Sequence, residues 1–202
     1  MIERLLVLLM QSLRLSILKK ALELVPEKGF TLNAIEFALN DMQISTGFNG
    51  SVQPVDLIAF SQKQMLSDVK DSENGDFYSK VDKKFTTRNN SMKLYAKHWV
   101  NATAELTKHP ELAAKILQEQ CHSILYNSGD KSHDVNWYIR YGLMSQMIVA
   151  SDLYLTQDQT ANFHANDKFV RDLVCSFRDM DKSSHKIGIK LQMVMASLSK
   201  KF

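Results

Sequence analysis

Six histidines and two cysteines are the residues of this 202-residue chain best suited to metal binding or nucleophilic catalysis. Their spacing supports neither. His98, His109, His122, His133, His164 and His185 form no His-Glu-x-x-His pair and no Glu-x-x-His repeat, so a zinc protease or a diiron site lacks its ligands. Cys121 and His122 are adjacent, and neighbours on a helix point in different directions, so they make no dyad. Both Cys121 and Cys175 sit in apolar-rich segments, the usual setting of inert packing thiols. No glycine-rich phosphate loop and no Gly-x-Ser-x-Gly elbow is present. None of the specific signals of catalysis or metal binding appears, and on the residues alone the choice between an enzyme and a binding protein stays open.

Three other groupings suit recognition. In DVNWYIRYG, Trp137 and Tyr141 stand four apart on one helix face, with Tyr138 beside them and Arg140 three residues on. Aromatics with an arginine make up either an interaction hot spot or the aromatic cap of a core helix. Met144, Met147, Ile148, Ser151 and Leu155 follow at helical spacing. Flexible thioethers there suit the wall of an apolar cavity or plain core packing. In the tail, Ile187, Leu191, Val194, Met195, Leu198 and Phe202 form one apolar stripe, surrounded by Lys182, Lys186, Lys190, Lys200 and Lys201. A basic amphipathic helix of this kind lies on an anionic bilayer, or closes a bundle with a solvated back.

The elements that must position these residues are helical. Residues 1–25 read as a helix with a stripe at Ile17, Leu18, Ala21, Leu22 and Val25, ended by Pro26 and Gly29. Residues 1–15 read either as an import signal or as an extension of that helix packing on the core. Thr31 caps a short second helix, and a third follows Pro54. Further helices are expected over 81–107 with an interruption, 110–125, 137–158 behind Asp134 as N-cap, 166–179 and 184–200, with residues 70–80 as a polar loop. Apolar residues on nearly every face of the 137–158 helix predict that it is central and buried. No stretch alternates as a strand does. The result is an all-α bundle of about eight to ten helices, long enough for one sizeable core.

Composition narrows the function classes. Lys plus Arg is 25 and Asp plus Glu is 22, a net charge of +3, too slight to indicate nucleic-acid binding. The longest apolar run, Leu5 to Met10, falls well short of the roughly 20 residues that cross a bilayer, so membrane contact is expected to be peripheral.

The segment GDKSHDVNWYIRYGLMSQMIVASDLYLTQDQTANF resembles the lipid-binding accessory proteins of mitochondrial ubiquinone (coenzyme Q) biosynthesis, a family with a TetR-like fold. Gly129, Asp130, Asp134, Asn136, Trp137, Tyr138, Arg140, Gln157, Asp158, Phe163 and Phe169 stand at the matching places. A weaker likeness covers ILKKALELVPEKGFTLNAI, and the whole spans roughly residues 16–180. The resemblance implies a single domain over 1–202. Within it, 16–69 would be a degenerate helix-turn-helix part, 81–180 a lipid-binding part and 184–200 a membrane-contacting helix on the matrix face of the inner membrane.

It also implies that the protein is not an enzyme, with no catalytic residues, no metal and no cofactor, and that it binds an isoprenoid quinone precursor and presents it to the demethoxyubiquinone hydroxylase. Met144, Met147, Ile148, Ser151, Leu155 and Phe169 would line the lipid pocket. Ile124, Trp137 and Tyr138 would form the partner patch, supported by Arg140. Ile187, Lys190, Leu191, Val194, Met195 and Leu198 would meet the membrane. Members commonly dimerise. His122 and Ser123 replace acids seen in relatives, and Tyr141 replaces a second arginine, so the patch is altered. A paralogue serving as structural accessory subunit of a respiratory or ATP synthase complex would show the same mixture. A DNA-binding role is poorly served, because Gln43 to Phe60 holds no Lys or Arg to meet phosphates.

Overall fold

The computed structural model describes the backbone of residues 2–44, 52–68, 75–132 and 134–199, and the side chains of these from 4 to 184. Among them are eight α-helices, two short 3₁₀ turns and no strand. The helices are α1 (Ile2–Lys28), α2 (Leu32–Asp41), α3 (Pro54–Asp68), α4 (Phe77–Met92), α5 (Ala96–Thr107), α6 (Pro110–Asn127), α7 (Val135–Gln157) and α8 (His164–Ser199). The all-α expectation therefore holds. The chain forms two compact units from interleaved pieces: residues 1–68 with 91–116, and residues 69–90 with 117–202. Residues 81–180 thus do not fall within one unit.

In the first unit, Ile17, Leu18, Ala21 and Val25 are buried along α1, as their spacing requires. The helix ends at Gly29, whose φ of 72° places it in the left-handed region and whose N–H donates to the Val25 carbonyl (2.8 Å). A Cβ there would stand 2.9 Å from the His98 ring, so both backbone and space demand glycine. His98 Nε2 donates to the Pro26 carbonyl (3.1 Å). Phe30, immediately after the turn, packs on Tyr95 and Trp99. Thr31 caps α2 by accepting from the Ala34 N–H. α3 opens with Asp56, which accepts from the Gln53 N–H (2.9 Å) and lies 2.8 Å from Arg14. An acid in that first turn is poorly placed for contact with phosphates.

The core of the second unit gathers Val81 and Phe85 of α4, Cys121, Ile124 and Leu125 of α6, Met144, Met147 and Ile148 of α7, and Val170 and Phe177 of α8. Two expectations need correction. α7 buries one stripe only, Met144, Met147, Ile148, Ser151 and Leu155, and turns Val149 and Leu153 to solvent. Apolar residues on every face therefore did not make it central. The two helices expected over 166–179 and 184–200 are one continuous α8. The polar DMDKSS stretch does not break it, because Asp181 is buried among partners and two serines bond back to helix carbonyls. Ser183 Oγ donates to Asp179 O and Ser184 Oγ to Asp181 O, both at 2.8 Å.

Candidate functional site

The recognition segment begins where α6 stops. Gly129, at φ 105°, takes the left-handed conformation that ends the helix, and Asp130 N–H donates back to the Leu125 carbonyl (3.1 Å). This return tucks the Asp130 side chain inward, where one oxygen accepts from the Ser132 N–H and the other lies 3.2 Å from Arg140 Nη1. Asp134 then caps α7 by accepting from the Trp137 N–H (3.2 Å). The Asn136 side chain that donates to it, and then the cap bond itself, hold the Asp134 carboxyl below its ordinary pKa.

Arg140 is the centre of the arrangement. Its Nε donates to both oxygens of Asp181 on α8, at 2.9 and 3.0 Å, and its guanidinium lies over the Phe77 ring. Tyr78 Oη on α4 donates to the same Asp181 carboxylate (2.9 Å). One side chain therefore links α7, α8, α4 and the loop after α6. Burial works against the arginine's charge, but the Asp181 hydrogen bond and the two carboxylates outweigh it and raise its pKa. Burial first, and then the Asp181 hydrogen bond and charge, push the Tyr78 phenol up to about 12.

Above this hub stand the aromatics. Trp137 is half-buried and packs edge-on against Tyr138 (5.0 Å) and tilted against Tyr141 (5.1 Å). Tyr138 is 69% exposed, and Val135 beside it 72%. Ile124 is corrected: it is fully buried in the core and can meet a partner only if the core opens. Its apolar type and helical spacing suit either place, which is why sequence alone does not separate them. His122 stacks on the half-exposed Tyr126 (5.3 Å) and Lys131 lies over the same ring.

Of the residues expected at the lipid pocket, Met144, Met147 and Ile148 pack into the core, while Ser151 and Leu155 are buried on the same stripe. Phe169 stands apart from them, stacked on Tyr154 at 4.3 Å. Two grooves of this unit, about 300 and 490 Å³, run between α4 and α8 and are lined by other, mostly polar residues. Ile187, Lys190, Leu191, Val194, Met195 and Leu198, the residues expected to meet the membrane, lie on the backbone of α8, but their side chains fall outside the described residues.

Sequence reasoning missed a second charged cluster. Arg88 on α4 is fully buried, pairs through both Nη atoms with the two oxygens of Asp152 on α7, and donates from Nε to Gln120 Oε1 on α6 (2.9 Å). A signal existed, since Val81, Phe85, Arg88 and Met92 share one helical stripe. Asp181 likewise follows Val170, Val174 and Phe177. A charge on a core stripe implies a buried partner. Elsewhere, Asp158 of the Gln157–Asp158 pair has a structural role: it accepts from Thr160 and from the Asn166 N–H (2.6 Å), capping α8. Burial pushes the Cys121 thiol up to about 12, which suits a packing residue. Among the described residues no three metal-ligating side chains gather, and no helix is long and apolar enough to cross a membrane.

The sequence over this region is similar to known proteins. The sequence model of the COQ9 family matches residues 111–181, the span that holds Asp130, Trp137, Arg140 and Asp181. The mitochondrial ubiquinone biosynthesis protein coq9 of Schizosaccharomyces pombe is 31% identical over 165 residues, covering 77% of this chain and 66% of the relative. The Xenopus laevis protein COQ9-A is 23% identical over 205 residues, covering 93% and 65%. The human ubiquinone biosynthesis protein COQ9 is 21% identical over 194 residues, covering 88% and 61%. The chain thus spans just under two thirds of the length of these relatives.

Proposed function

Because the chain belongs to the COQ9 family, we propose that it serves ubiquinone biosynthesis as a non-catalytic lipid-binding protein. It binds an isoprenoid quinone precursor and presents it to the demethoxyubiquinone hydroxylase. This takes place on the matrix side of the mitochondrial inner membrane, with the tail of α8 on the bilayer. The polyprenyl chain gains by leaving water for an apolar interior, and an interfacial helix shortens its path back to the membrane.

The observation that carries this reading is the exposed Tyr138 packed on the half-buried Trp137, on a helical turn that Arg140 fixes to two buried carboxylates. Rigid aromatics presented to solvent bind a partner at low entropic cost. Tyr138→Ala is expected to weaken hydroxylase capture at least about tenfold, with a change in stability within about 0.5 kcal/mol, as for other exposed positions. Capture assayed beside denaturant unfolding checks it, and parental capture by a folded variant contradicts the patch.

A second reading, a structural accessory subunit of a respiratory or ATP synthase complex, draws on the packing of Met144, Met147 and Ile148 into the core. It requires stable co-purification with such a complex and no exchangeable lipid.

A further inference from the structure

Leu5, Leu6, Val7, Leu8, Leu9 and Met10 follow one another on α1, and each is 47–63% exposed. At about 100° per residue, six consecutive positions surround the helix instead of forming a stripe. Burial of α1 begins only at Ile17, with Leu13 half-buried before it. The outer part is therefore an apolar rod presented to solvent on all sides, with on the order of 600 Å² of apolar surface, at the upper limit of what soluble monomers expose.

We propose that residues 4–16 insert into one leaflet of an anionic lipid bilayer, a membrane contact separate from the tail of α8. A protein groove covers one face of a helix and a coiled-coil partner covers one seam, leaving the other leucines in water. Hydrocarbon covers the whole circumference. Charge favours the same occupant: α1 carries no acid between Glu3 and Glu23, while Arg4, Arg14, Lys19 and Lys20 are basic. Arg14 and Lys20 lie against Asp56 and Asp41, and Arg4 and Lys19 keep positive charge near either end of the segment. Residues 5–15 measure roughly 16 Å along the axis, about half a hydrocarbon core, so the segment enters the bilayer without crossing it.

Flotation of the full chain on phosphatidylcholine vesicles, with and without phosphatidylglycerol, tests this. The pair Leu6→Glu and Leu9→Glu is expected to lower partitioning on the order of a hundredfold, since two leucine side chains lose their burial. Its thermal transition should stay parental, because neither side chain is part of the core. Arg4→Glu should weaken binding only to vesicles that contain phosphatidylglycerol. The same loss should appear in a background carrying Ile187→Glu and Leu191→Glu. That background alone tests the tail contact of the proposed function, so the two ideas fail separately. Parental flotation of the Leu6/Leu9 variant overturns the inference. So does conversion of a dimer to a monomer with flotation unchanged, which would make a second copy the occupant. Recovery of mitochondrial protein cleaved between residues 4 and 16 overturns it as well.

Discussion

Arg88 and Arg140 are both held by carboxylates within the same unit, yet they differ in what surrounds them. Arg88 is wholly enclosed, grips one carboxylate with two prongs, and has core residues on either side along α4. Arg140 keeps a fifth of its side chain exposed, divides itself between two carboxylates, and sits one turn from the aromatics on the surface. The first charge fastens three helices where no partner reaches. The second uses the same chemistry to hold the helical turn that carries Trp137 and Tyr138. A buried ion pair is thus weak evidence of function by itself, and what borders it is the better guide.

The largest effect is expected at the enclosed pair. Asp152→Ala leaves a buried guanidinium without its carboxylate, and such losses cost about 3–5 kcal/mol, a large part of a domain's stability. Denaturant unfolding should show a sharply lowered midpoint. A loss near that of an ordinary surface substitution would erase the contrast between the two arginines.

At the hub the expected loss is smaller and of a different kind. Asp181→Asn keeps the shape but weakens the Arg140 and Tyr78 hydrogen bonds, at about 1–3 kcal/mol. Hydroxylase capture should fall with it, because the turn bearing Trp137 and Tyr138 is no longer fixed. Tyr78→Phe should cost about 1 kcal/mol. It should also make the alkaline loss of stability shallower. A phenol raised to about 12 in the folded state contributes stability that is complete below its unfolded pKa near 10 and is lost between the two. Cys121 and Tyr141 are raised in the same direction, so part of the slope should persist in this variant. Thermal melts from pH 8 to 12 separate the contributions, and an unchanged slope would detach Tyr78 from Asp181.

Much of the scaffold is legible in the residues. The α1 stripe, the Thr31 and Asp134 caps and the Gly29 turn need only local geometry, and each stands as its spacing dictates. The tail boundary was not legible, because a run of Asp, Lys and Ser looks like a linker until Asp181 is seen among Arg140 and Tyr78. Ile124 shows the same limit in reverse: hydrophobic type and periodicity do not tell a core position from a patch beside it. The leucines of α1 go further, since a run that usually signals burial is here outside any core. In each case the missing information is a contact distant in sequence, or the lack of one.

A carrier role requires a lipid held by this chain. Its most direct test is mass spectrometry of organic extracts from protein purified without detergent. A stoichiometric isoprenoid quinone or quinone precursor is the predicted result. A well-folded protein that yields no such lipid would contradict the carrier function and favour the structural-subunit reading.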